Sequence, residues 1–136
     1  MNENNILTEL RKLNEIAKSN GDVPISCIIM KDNTIVSKAY NMRVKLNDPT
    51  AHAEIIAIKK AAKKLKTWNL KGCIIYVTLY PCDMCLEVIK ESRIKEVVYI
   101  LSAEKKVSGN IKMNQMNIIE KDDFSKELKG FFVNKR

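Results

Sequence analysis

The chain contains a single histidine, His52, and a single Cys-x-x-Cys pair, Cys82 and Cys85. With no second histidine and no second pair, a closed four-ligand structural metal site has nothing to complete it. No apolar stretch approaches the ~20 residues that a membrane-spanning helix needs. Met1–Asn5 is polar and lacks the basic-then-apolar pattern of a signal peptide, so a cytoplasmic protein is expected. No repeat, linker or low-complexity segment interrupts the 136 residues. One domain, 1–136, is therefore expected, and a chain of this size buries about two-thirds of its unfolded surface on folding. The other two cysteines, Cys27 and Cys73, fall in the apolar runs Ser26–Met30 and Cys73–Val77. They read as small core residues rather than halves of a disulfide framework, which fits a reducing compartment.

Acidic residues are also in short supply. Twenty-four Lys and Arg against sixteen Asp and Glu leave a net charge of +8. Lys59, Lys60, Lys63, Lys64, Lys66 and Lys71 concentrate around one helix end, while Lys129, Lys135 and Arg136 close the chain. Such patches attract polyanions, and a solvated helix face is the plainer alternative.

Ile6, Leu7, Leu10, Leu13, Ile16 and Ala17 recur at helical spacing, and Asn20-Gly21 stops that helix. Ile25–Met30 and Thr34–Tyr40 read as two strands of a hairpin around Lys31-Asp32-Asn33. Pro49 and Thr50 lead into a helix from about Ala51 to Leu65. Cys73–Leu79 is a third strand, stopped by Pro81 before a helix over Cys82–Ser92. Glu96–Leu101 is a fourth strand and Gln115–Ile119 a fifth. Asp122 or Asp123 can cap a last helix running towards Phe131 and Phe132. The pattern predicts an α/β fold, a β-sheet with helices on both faces.

His52-Ala53-Glu54, followed by Pro81-Cys82-Asp83-Met84-Cys85, carries the chemistry. One imidazole and two thiolates are three zinc ligands, leaving a fourth tetrahedral position for water, as catalytic zinc sites do. A redox Cys-x-x-Cys would need no His-x-Glu upstream. His52 is expected in the first turn of one helix, and Cys82 and Cys85, three apart and on one face, in the first turn of another. Positive partial charge at both helix starts favours thiolate. Glu54, about 200° around the helix from His52, need not be a ligand and can move protons between water and substrate. His-x-Glu with Pro-Cys-x-x-Cys resembles the signature of zinc-dependent nucleobase deaminases.

A wider resemblance follows. Asp48-Pro49-Thr50-Ala51-His52-Ala53-Glu54-Ile55, Tyr76–Cys85 and Ser92-Arg93-Ile94 resemble bacterial tRNA-specific adenosine deaminases, and the likeness runs from the first helix to Phe131-Phe132. The family implies a cytidine-deaminase-like three-layer α/β/α sandwich with a mixed five-stranded sheet. It implies a homodimeric zinc enzyme that converts the wobble adenosine of an arginine tRNA anticodon to inosine. By matching position, His52, Cys82 and Cys85 would bind Zn2+ and Glu54 would be the proton shuttle. Asn41 would hydrogen-bond the flipped nucleotide through its side-chain amide, and Val23, Pro24 and Ile25 would line the base pocket. Read without the resemblance, Asn41 is a turn residue and Val23–Ile25 a strand entry. The chain departs from the family at Tyr80, where glutamate is usual, and at Ser102–Val107, where an Arg-Asp pair is usual. Deamination of a free base or nucleotide (guanine, cytosine or deoxycytidylate) shares the zinc motif and is the alternative.

Overall fold

Residues 27–30 alternate between two faces of a strand, and the two faces meet two separate cores. Cys27 and Ile29 pack in one cluster with Ala53, Ala57, Ile58, Leu86 and Ile89. Ile28 and Met30 pack in another with Ile6, Leu7, Leu10, Leu13 and Phe124. A strand buried on both faces must lie inside a sheet covered by helices on both sides. The computed structural model, which describes residues 2–103, 109–118 and 121–134, has that architecture.

The elements are α1 (Glu3–Ser19), β1 (Ser26–Lys31), β2 (Thr34–Tyr40), α2 (Arg43–Leu46), α3 (Ala53–Leu65), β3 (Cys73–Leu79), α4 (Asp83–Glu91), β4 (Glu96–Leu101), β5 (Lys112–Gln115) and α5 (Lys121–Asn134). The sheet order is β2-β1-β3-β4-β5. β1 runs antiparallel to β2 and β3, while β3, β4 and β5 are mutually parallel. The sheet is therefore mixed and five-stranded, as expected. The α/β fold and its covered sheet follow from the two hydrophobic periodicities.

Several boundaries differ from the sequence reading, each for a local reason. The hairpin turn is Asp32-Asn33 alone, both at positive φ (49° and 64°), with Lys31 paired to Thr34. This is the two-residue geometry whose twist matches the strands, and Asp and Asn tolerate it. α3 begins at Ala53 and α4 at Asp83, so His52 and Cys82 are N-cap residues with extended backbone. β5 spans Lys112–Gln115 rather than 115–119. The apolar residues that suggested a strand there instead fill the second core through Met116 and Ile118, and Ile119 lies outside the described residues. α5 starts at Lys121, which places Asp122 and Asp123 in its first turn, where carboxylates complement the helix dipole.

α5 is fixed to α1 by polar interactions. Asn14 Nδ2 donates to Glu127 Oε1 at 3.0 Å, Lys18 Nζ lies 2.9 Å from Glu127 Oε2, and the Arg11 guanidinium sits over the Phe124 ring. This docking carries Phe131 to the rim of a 580 Å³ cavity whose wall includes Val23, Val44 and Pro49. Cys27 and Cys73 are buried in the core, and all four cysteines are free thiols. No helix among the described residues is long and apolar enough to cross a membrane.

Candidate metal centre

β3 ends at Leu79, and Tyr80-Pro81 delivers the chain to the start of α4. Ligand sites in open α/β sheets gather at such carboxyl ends of strands. Here the starts of α3 and α4 converge. The ligating atoms of His52, Cys82 and Cys85 all lie within 4.8 Å of one another. His52 Nδ1 is 3.6 Å from Cys85 Sγ and 3.8 Å from Cys82 Sγ. Tetrahedral zinc bonded to nitrogen and sulfur at ordinary lengths sets those atoms about 3.5 Å apart. The donor set and its spacing fit zinc.

The protonation preferences fit as well. Burial, with Arg43's positive charge behind it, pushes the His52 pKa down, so the imidazole is held neutral. A neutral ring is the form that ligates. Cys85 behaves differently from the thiolate expected at a helix start. Burial first, then the charges of Glu54 and Cys82, push its thiol well up. The helix dipole does not overcome those effects, so a thiolate at Cys85 requires a cation beside it.

Glu54 is 4% exposed and follows His52 in the first turn of α3. Its Oε1 has no hydrogen-bond partner among the described residues. Burial raises its pKa from the usual carboxylate range to about 7. A buried, unpartnered carboxyl oxygen costs free energy unless something polar meets it. With a pKa near neutrality it can both accept and return a proton.

Asn41 is buried, and its Oδ1 accepts the Ala53 N–H at 2.8 Å. It therefore supplies the α3 cap that His52's own side chain does not. Asn41 N–H donates to the Ile25 carbonyl at 3.0 Å, so the 23–25 segment is laced to the site. Val23 lines the 580 Å³ cavity, Pro24 is buried, and Ile25 packs against the first core. Tyr80 is buried with its ring edge-on to Tyr99, centroids 4.9 Å apart. The 104–107 part of the departing loop, with Lys135 and Arg136, lies outside the described residues. Lys59, Lys60 and Lys63 line a 300 Å³ cavity with Thr50, Ala51 and Ile55, adjoining His52 in the chain. Lys64, Lys66 and Lys71 are exposed but do not line that cavity.

Sequence reasoning missed two features. One is α2, too short for any periodicity to show. The other is the role of Asp22, whose carboxylate meets that helix.

The model of the cytidine and deoxycytidylate deaminase zinc-binding region matches residues 2–101. The chain belongs to the cytidine and deoxycytidylate deaminase family. Zinc is the cofactor of that region, and deamination its chemistry. The chain is 43% identical over 109 residues to a tRNA-specific adenosine deaminase of Aquifex aeolicus, covering 80% of this chain and 70% of that protein. A solved structure from studies of tRNA:A34 deaminases, which edit A to I at the wobble position, is similar at a TM-score of 0.76 and 25% identity. It covers 83% of this chain and 98% of its own. A Bacillus subtilis guanine deaminase structure is similar at a TM-score of 0.70 and 29% identity, over 99% of this chain and 94% of its own.

Proposed function

We propose that this protein is a zinc-dependent hydrolase that deaminates the wobble adenosine of a tRNA to inosine, an arginine tRNA anticodon being the substrate. The observation that carries the chemistry is the His52–Cys82–Cys85 cluster with the buried, unpartnered Glu54 oxygen beside it. His52 Nδ1 and the two sulfurs hold the metal. When bound, zinc lowers the pKa of a water towards neutrality and so supplies the nucleophile.

Glu54 does the proton work. Its Oε1 takes a proton from the attacking water and delivers it to a ring nitrogen of the adenine. After the oxygen has added at the amine-bearing carbon, Glu54 takes the remaining proton of that hydroxyl and passes it to the amine, so that the C–N bond breaks as the C=O bond forms. Water enters, ammonia leaves, and Glu54 ends as it began. Asn41, with Oδ1 committed to Ala53, presents its amide nitrogen to the nucleotide. Val23, Pro24 and Ile25 form the side of the base pocket that is laced to Asn41.

The RNA assignment is supported by the basic character of α3 and by the kinship with tRNA-specific adenosine deaminases. A base must be splayed out of an RNA loop to reach such a site, and a free base would need no basic surface. The same reading carries a homodimer acting in the cytoplasm. Trp68, 64% exposed beside a 500 Å³ groove with Ile58, Ala62 and Val88, supports association with a second copy. A second reading, deamination of free guanine, is favoured by the 99% overlap with the guanine deaminase structure.

The position of the lysines supplies the test. A Lys59→Ala/Lys63→Ala variant is expected to bind an anticodon stem-loop more weakly. Its slope of log K against log salt should be shallower by about 0.7 for each phosphate that is no longer neutralised. Binding measured across a salt series gives the answer. Identical slopes for wild type and variant, together with turnover of guanine, would move the assignment to the second reading.

A further inference from the structure

α2 is four residues long and buries none of its side chains; Val44 is 58% exposed and Leu46 52%. So short a helix is not stable in water on its own, and Met42 at its start provides no side-chain cap. Its amides are met instead by Asp22, from the segment before β1. Val44 N–H donates to Asp22 Oδ1 at 3.0 Å and Lys45 N–H to Oδ2 at 3.4 Å. Asp22 is only 2% exposed. Its own N–H donates to the Ala17 carbonyl at 2.9 Å, fixing it from behind to the end of α1.

The segment from Asn41 to His52 is pinned at its base, where Met42 N–H donates to the Ala51 carbonyl at 3.0 Å and Asn41 N–H to Ile25. Farther out, Leu46, Asn47 and Asp48 donate only to carbonyls of residues 42–44. Those bonds shape the segment without attaching it to the rest of the protein. With no buried apolar side chain in α2, the Asp22 carboxylate makes the attachment. The same segment supplies Arg43, Val44, Asn47, Asp48 and Pro49 to the wall of the 580 Å³ cavity, which Val23 and Phe131 also line. Pro49, the last of these, lies three residues before His52.

We propose that Asp22 is a positioning residue that holds α2 and the 43–49 wall in the geometry that receives the substrate beside the metal centre. A carboxylate suits this task because it accepts two amides at once, and charge-assisted bonds are the stronger kind. His52 and Glu54 do not depend on it, since α3 is capped by Asn41. Loss of Asp22 is therefore expected to affect substrate capture before chemistry. The kinetic part of this inference rests on the RNA-deaminase reading, and the structural part does not.

The test compares zinc-loaded wild type with Asp22→Ala and Asp22→Asn by hydrogen exchange and steady-state kinetics. In Asp22→Ala, amides of residues 44–48 should exchange at least about tenfold faster, as loss of hydrogen bonds to a charged group allows. Amides of β3 and zinc content should stay as in wild type. KM for the stem-loop should rise several-fold with kcat nearly unchanged, and Asp22→Asn, which keeps one acceptor oxygen, should fall between. Unchanged exchange at 44–48, equal loosening across the sheet, or a fall in kcat at constant KM would each overturn the proposal. If the wild type turns over no stem-loop, the functional reading fails, and the exchange data alone decide whether Asp22 anchors α2.

Discussion

Replacing Glu54 by glutamine is expected to lower the rate of deamination by at least ~10²-fold while about one zinc per chain is retained. The substitution keeps the size of a side chain that is only 4% exposed, so the packing of α3 against the sheet should survive. What disappears is a group whose pKa burial has raised to about 7 and which can therefore both take and return a proton. Glutamine can donate to a bound water but cannot accept its proton. The loss should appear in kcat and kcat/KM alike, because the interaction is made in the transition state. Metal analysis and single-turnover rates on the same preparation check this. Wild-type turnover in Glu54→Gln would place the proton shuttle on another residue.

Cys85→Ser should remove metal and activity together. Cys85 is fully buried, 3.6 Å from His52 Nδ1, and a serine hydroxyl there is a poor substitute for a thiolate. Loss of a partner outside the ligand shell already costs roughly 10–100-fold in metal affinity, and loss of a ligand should exceed that. Cys27→Ala provides the contrast. Cys27 is equally buried but lies in the core cluster and not in the metal-binding group. That variant should lose some stability, within the ~0.5–3 kcal/mol usual for point changes, and keep its zinc. Metal content of the two variants, measured side by side, separates a ligand from a packing cysteine. Equal zinc in both would contradict the ligand assignment.

The contrast between those cysteines shows what the sequence makes legible. Cys27 sits in an unbroken apolar run, which is how a strand buried on both faces reads. Cys82 and Cys85 sit at a Pro-interrupted strand-to-helix junction, where side chains turn towards a shared site. Both readings need only local pattern, and the structure places Cys27 in the core and Cys82 and Cys85 beside His52. Motif spacing likewise located the junctions, though His52 and Cys82 proved to be caps rather than first-turn residues. Cap and first turn differ by a single residue, and hydrogen bonding, not periodicity, decides between them.

Features that depend on distant partners were not legible. Asn41 looks like a turn residue until its side chain is seen capping a helix twelve residues later. Asp22 looks like any polar residue after a helix stop, yet its carboxylate meets amides 22 and 23 residues away. The division of the lysines is similar. Among the described lysines, Lys59, Lys60 and Lys63 share a cavity wall with Thr50 and Ala51, the residues leading to His52, a fact set by helix rotation. Sequence showed the charge, and the fold shows which part of it lines that cavity.

The most direct measurement is to incubate zinc-loaded protein with an arginine-tRNA anticodon stem-loop and, in parallel, with free guanine. The RNA is then digested to nucleosides for mass analysis, and ammonia is assayed in both reactions. The predicted result is inosine at the wobble position with an equal amount of ammonia, abolished in Glu54→Gln, and no ammonia from guanine. Ammonia from guanine, with the stem-loop adenosine left intact, would contradict it.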